Sequence, residues 1–149
     1  MASMAGSLDD GSDGRSPVLG RFQFRLDGQV LICTVQGPFN AEFIDHLQGQ
    51  SAGLLDELIR LGKWAVIVVF QSSALTSLSA LTLLTRNVRS RAQSGRSPAA
   101  CALVMSPDVE GAALMTALYL RCYVENGVPA QAFETLESAR AWIDARLTE

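Results

Sequence analysis

The sequence predicts an α/β fold, a mixed sheet of four to five strands (a β-hairpin, then βαβαβα) with helices packed on it. Phe22, Phe24 and Leu26 alternate with Arg21, Gln23 and Arg25, the two-residue period of a half-buried strand. Trp64–Phe70 is an unbroken apolar run rich in β-branched residues, as expected of a central strand covered on both faces. Between such runs lie segments whose apolar residues recur at helical spacing, which implies parallel strands joined by right-handed crossovers. The 149 residues amount to about one domain. With 48% hydrophobic and 18% charged residues, there is ample apolar surface for a core.

Residues 1–20 hold four Gly, four Ser and three Asp with few large apolar side chains, and read as a flexible tail ahead of a single domain over 21–149. Asp27-Gly28 favours the positive φ of a tight hairpin turn, and Val30, Ile32 and Thr34 continue on a second strand to about Gln36. After Gly37-Pro38, Asn40 is placed to cap a helix whose apolar positions (Phe43, Leu47, Leu54, Leu58) run to Leu61. Gly49 and Gly53 inside it each cost about 1 kcal/mol relative to Ala, which predicts a bend or break. Gly62 stops the helix before Trp64–Phe70. A Ser/Thr-rich connection leads to a second helix bearing Leu81, Leu84 and Val88 and closed by Gly95. Ala99–Met105 reads as a second buried strand, and Ser106-Pro107-Asp108 turns into a third helix over Val109–Glu125. A short strand at Ala130–Phe133 and a last helix capped by Thr135, with Ala139, Trp142, Ile143 and Leu147 on one stripe, complete the order ββαβαβαβα.

Twelve Lys+Arg against fifteen Asp+Glu give a net charge of −3, which argues against a nucleic-acid-binding face. The longest apolar run falls well short of the ~20 residues needed to cross a bilayer. An odd count of cysteines (Cys33, Cys101, Cys122), each within an apolar stretch, predicts buried free thiols rather than a disulfide framework. With no basic segment followed by an apolar core at the N-terminus, a cytoplasmic location is expected.

Val35-Gln-Gly37, Gly62–Phe70 and Phe133–Ile143 together resemble segments of the STAS superfamily (sulfate transporter and anti-sigma factor antagonist), in its SpoIIAA-like branch of small stand-alone bacterial proteins. Val35-Gln-Gly37 before a helix is similar to its strand-Gly-helix start, and Gly62–Phe70 to its central strand. Phe133-Glu-Thr-Leu-Glu-Ser-Ala139-Arg-Ala-Trp142-Ile143 resembles its closing Phe…Ala-x-x-Trp-(Leu/Ile) pattern. The resemblance spans about Phe22 to Leu147 and implies a regulatory protein-binding module. In anti-sigma factor antagonists a Ser after an Asp, at the start of the helix following the central strand, is phosphorylated. That pattern falls on Ser79, with Leu78 in place of the Asp and Phe70 in place of the Asp that usually ends the central strand.

The residues themselves offer no catalytic constellation. His46, the one histidine, sits beside Asp45 on a helix and reads as solvent-facing. There is no nucleophile elbow, phosphate loop or metal-ligand spacing, so no enzyme, cofactor or metal is expected. Asp108 and Glu110 lie at a strand-to-helix junction, where open α/β sheets hold ligands, or else serve the dipole of the third helix. Ser72, Ser73, Ser77 and Ser79 form a phosphorylation or partner loop, or simply line and cap a polar turn. Arg86, Arg89, Arg91 and Arg96 are a solvated final turn or a docking patch for an acidic partner or phosphorylated ligand. Leu114, Met115, Leu118 and Tyr119 cannot all face one sheet, so the third helix forms a self-association surface, lines a ligand or partner groove, or is simply buried in the core. The reading is a non-enzymatic STAS-like module acting through protein–protein interaction, a homodimer with a possible regulatory partner. The alternative is a binding protein for a small apolar ligand or lipid held between the third helix and the sheet.

Overall fold

The computed structural model describes residues 17–149, so most of the expected tail lies outside the described residues. The alternation at the start becomes strand β1 (Arg21–Asp27), paired antiparallel with β2 (Val30–Gln36). The two-residue turn is Gly28-Gln29, with Gly28 at φ 60°, one residue later than Asp27-Gly28. Helix α1 (Ala41–Leu61), strand β3 (Ala65–Gln71), helix α2 (Leu78–Gln93) and strand β4 (Cys101–Val104) follow. Helix α3 (Ala112–Val124), strand β5 (Ala130–Phe133) and helix α4 (Leu136–Leu147) complete the domain. The sheet order is β1-β2-β3-β4-β5, and every pair after the hairpin is parallel. The α/β architecture and the antiparallel edge are as the sequence predicts.

The period of two sorts the strand residues into two cores. Phe24, Leu31, Cys33, Val35, Phe70, Cys101 and Leu103 point to the face covered by α1, α2 and α3. Val30, Ile32, Ala65, Ile67, Ala102 and Val104 point to the other, where Ala139 and Ile143 of α4 close over them. The small Ala65, Ala100 and Ala102 leave room for α4 to lie close, so one helix suffices on that side.

Three expectations need correction. Helix α1 is continuous through Gly49 and Gly53, because Phe43, Ile44 and Leu58 anchor it on both sides of the glycines, which face solvent. Helix α3 starts at Ala112 rather than Val109, because Glu110 is held in an extended bridge to Ser73. The folded body also begins before Arg21: Val18 is buried, and the Asn40 side chain accepts from the Leu19 N–H (3.1 Å) while donating to the Pro17 carbonyl (2.9 Å).

Candidate functional site

The carboxyl ends of parallel strands are where open α/β sheets usually leave a crevice. Here the loops that emerge are stitched together by backbone bonds. Gly37 N–H donates to the Ser73 carbonyl (2.9 Å) and Phe39 N–H to the Leu75 carbonyl (2.9 Å). On the other side Ala74 N–H donates to the Glu110 carbonyl (2.8 Å), and Glu110 N–H to the Ser72 carbonyl (2.9 Å). A side chain at Gly37 would collide with the Ser73 carbonyl, so the close approach requires glycine. The connection between β3 and α2 thus lies as a third strap between two others, filling the crevice.

This weave divides the predicted serine loop. Ser72 is exposed and left-handed (φ 65°), a conformation a non-glycine residue adopts only when its surroundings impose it. Ser73 is turned inward and buried, its hydroxyl accepting from the Leu75 N–H (3.2 Å), so it does not belong to a partner surface. Ser77 caps α2 by accepting from the Ala80 N–H (3.1 Å), and its hydroxyl shares a hydrogen bond with that of Ser79 (3.0 Å). Ser72, Ser77 and Ser79 therefore remain at the surface, the last two at the N-terminus of α2.

The four α3 residues also part company. Met115 and Tyr119 are core residues; Tyr119 packs on Phe70 (centroids 5.0 Å apart) and its hydroxyl donates to the Ala74 carbonyl (2.8 Å). Leu118 is half-buried, while Leu114, one turn before it, is 65% exposed. With α3 starting at Ala112, Asp108 and Glu110 do not serve its first turn, and Asp108 instead accepts from the Ser106 hydroxyl.

Between α2 and α3 runs a shallow groove of about 350 Å³ lined by Leu78, Leu81, Leu118, Arg86, Arg89 and Arg121 among others. Leu78 at its head is 80% exposed, the most exposed large apolar side chain among the described residues. The predicted arginine cluster is split. Arg86 and Arg89 line the groove, Arg96 pairs with Asp56 of α1, and Arg91 turns inward on the opposite flank of α2. Helix α2 carries no acidic residue at all.

A second cavity, about 100 Å³, lies under α1 and α2 against the sheet. Phe24, Leu31, Cys33, Trp64 and Val68 form its apolar walls, with Gln48, Ser51, Asn87 and Arg91 at its polar positions. The expected apolar space between α3 and the sheet is not where the cavity falls; α3 contributes only Tyr123. Sequence reasoning missed it, although Leu84, Asn87, Val88 and Arg91 share the helical spacing of an inward stripe, and polar residues on such a stripe are the available signal.

All three cysteines are buried free thiols. Burial pushes Cys101 up to about 12 and raises Cys33 and Cys122 as well, so none is poised as a thiolate nucleophile. His46 is half-buried rather than solvent-facing, its ring edge-on to Phe22 at 5.7 Å. Among the described residues no group of three His, Cys, Asp or Glu is arranged to hold a metal ion, and no helix is long and apolar enough to cross a membrane. Compared with known proteins, the chain matches no family model, no curated protein and no solved structure.

Proposed function

We propose that this protein is a non-enzymatic, STAS-like interaction module whose α2–α3 face receives an acidic, apolar-edged segment of a regulatory protein partner. The observation that carries the reading is Leu78, 80% exposed at the head of a groove lined by Leu81 and Leu118, by Thr82 and Thr85, and by Arg86 and Arg89, with the lone acid Glu125 held by Arg121. A large exposed apolar side chain is an ordinary finding alone, but here half-buried Leu118 lines the same groove from α3, and exposed Leu114 lies one turn before it on that helix. An acid-free helix beside it attracts an acidic segment and steers its approach. The same charge disfavours a symmetric homodimer whose two-fold axis passes beside Arg86 and Arg89, where the arginines of two copies would meet. The element order, the antiparallel edge strand and the position of Ser79 in the first turn of α2 support the STAS resemblance. Phosphate on Ser79 would be favoured by the helix N-terminus and would add charge beside Leu78, giving the partner a means of release.

Photo-crosslinking in cells of the source organism tests this. A benzoylphenylalanine placed at Leu78 or Leu114 should trap a second protein, and one at Ala141 on α4 should not. Trapping should weaken when Arg86 and Arg89 are both changed to Glu. A product of twice 16.0 kDa would instead mark a homodimer, and equal trapping from α4 would remove the proposed face.

A further inference from the structure

The cavity under α1 and α2 holds two features that neither the fold nor the proposed docking face explains. First, the core is not filled there: about 100 Å³ remains open, with largely apolar walls. Protein interiors generally close such space, since each unfilled methyl-sized void costs stability. Second, Arg91 Nε is the one buried side-chain nitrogen or oxygen among the described residues without a hydrogen-bond partner. Arg91 as a whole is half-buried, but leaving this one donor of its guanidinium buried and unpaired costs stability that a fitting acceptor would recover.

The two features coincide. Arg91 lines the cavity, and so does Asn87, one turn earlier on α2. Arg25, Arg60, Arg96, Arg121, Arg140 and Arg146 all lie within 4.0 Å of a carboxylate, but no ion pair to Arg91 occurs among the described residues. What the site lacks is therefore an acceptor, preferably an anion, carried on a small apolar body.

We propose that this cavity binds a small aromatic carboxylate, its ring among Phe24, Leu31, Trp64 and Val68 and its carboxylate on Arg91. The guanidinium presents parallel N–H groups that match a carboxylate's two oxygens, and the Asn87 amide supplies a further donor beside it. Size makes one ring the upper limit: the space of about 100 Å³ is smaller than the roughly 150 Å³ apolar cavity that takes up benzene in another protein, so part of the ligand lies in the open mouth of the pocket. The site is separate from the docking face: Leu84, Asn87 and Arg91 lie on one flank of α2, Thr82, Thr85 and Arg89 on the other.

Benzoate and its neutral counterpart benzyl alcohol, titrated into the whole chain, test the site by calorimetry and thermal shift. Benzoate should bind at least tenfold more tightly and raise the melting temperature with the logarithm of its concentration once that exceeds its Kd. In Arg91→Met that preference should vanish while benzyl alcohol binding persists. Equal binding of the two probes to the wild-type protein would overturn the carboxylate assignment, and no binding of either at millimolar concentration would overturn the site. Should Arg91→Met fail to fold, nuclear Overhauser contacts in the wild-type complex decide. Contacts from benzoate ring protons to the Val68 and Leu84 methyl groups support the site, and contacts elsewhere or none contradict it.

Discussion

Tyr119 shows how one side chain ties the serine loop to the core. Its ring packs on Phe70 and its hydroxyl closes on the Ala74 carbonyl at 2.8 Å, between the two straps that flank Ser73. Tyr119→Phe keeps the ring but leaves a buried carbonyl without that donor, which costs about 1–3 kcal/mol. Chemical denaturation should show that loss, and amide exchange should rise first at Ser73–Leu75. The thiols make a second prediction at this scale. Burial holds Cys101 protonated, pushing it up from 9.0 to about 12. Above about pH 9 the unfolded chain releases that proton and the folded chain does not, so folding stability falls as pH rises until the folded thiol ionises too. Denaturant midpoints from about pH 8 to about pH 10.5 should therefore drop, and less steeply in Cys101→Ala. Parallel slopes for the two proteins would contradict this account of the thiol.

At the scale of elements, α1 is the instructive case. Its glycines predict a break by propensity, yet a helix packed along its length is held by its buried face. Neither Gly49 nor Gly53 has a neighbour within 4 Å of where a Cβ would stand. Gly49→Ala and Gly53→Ala should each stabilise the protein by about 0.5–1 kcal/mol, read as a higher melting temperature. A loss of stability from both would mean that the glycines serve close packing. Such overrides mark the limit of what the sequence makes legible. Periodicity and caps show every strand and helix: Asn40, Ser77 and Thr135 each accept an amide as N-caps, and Gly62 follows α1. The start of α3 was not legible, because Val109 and Glu110 have a helical sequence context while Glu110 is drawn into a bridge with Ser73, in a loop far back in the chain.

For the whole molecule, one sheet carries two unequal faces. Helix α4 closes its side with Ala139 and Ile143 fully buried. The three-helix side keeps both an exposed apolar head and a half-open, largely apolar pocket. The apolar excess of α3 is visible in the sequence, but its division is not, since which of Leu114, Met115, Leu118 and Tyr119 turn outward depends on how α3 lies against α2 and the sheet. The arginines behave likewise: four neighbours in sequence become two groove residues, an ion pair and an inward-facing charge. These placements make the candidate face a tertiary property that no local spacing encodes.

The central claim is that Leu78 and Leu114 are kept for a partner and not for the fold. The doubly substituted Leu78→Asp, Leu114→Asp protein separates the two most directly, measured for melting temperature and for photo-crosslinking. With the photo-probe placed at Thr82, a groove residue given no part in binding, so that Arg89 stays in place, the account predicts a melting temperature within about 2 °C of the parent, as for surface changes away from structural features, together with loss of the trapped partner. A variant that unfolds, or one that still traps the partner, would contradict it.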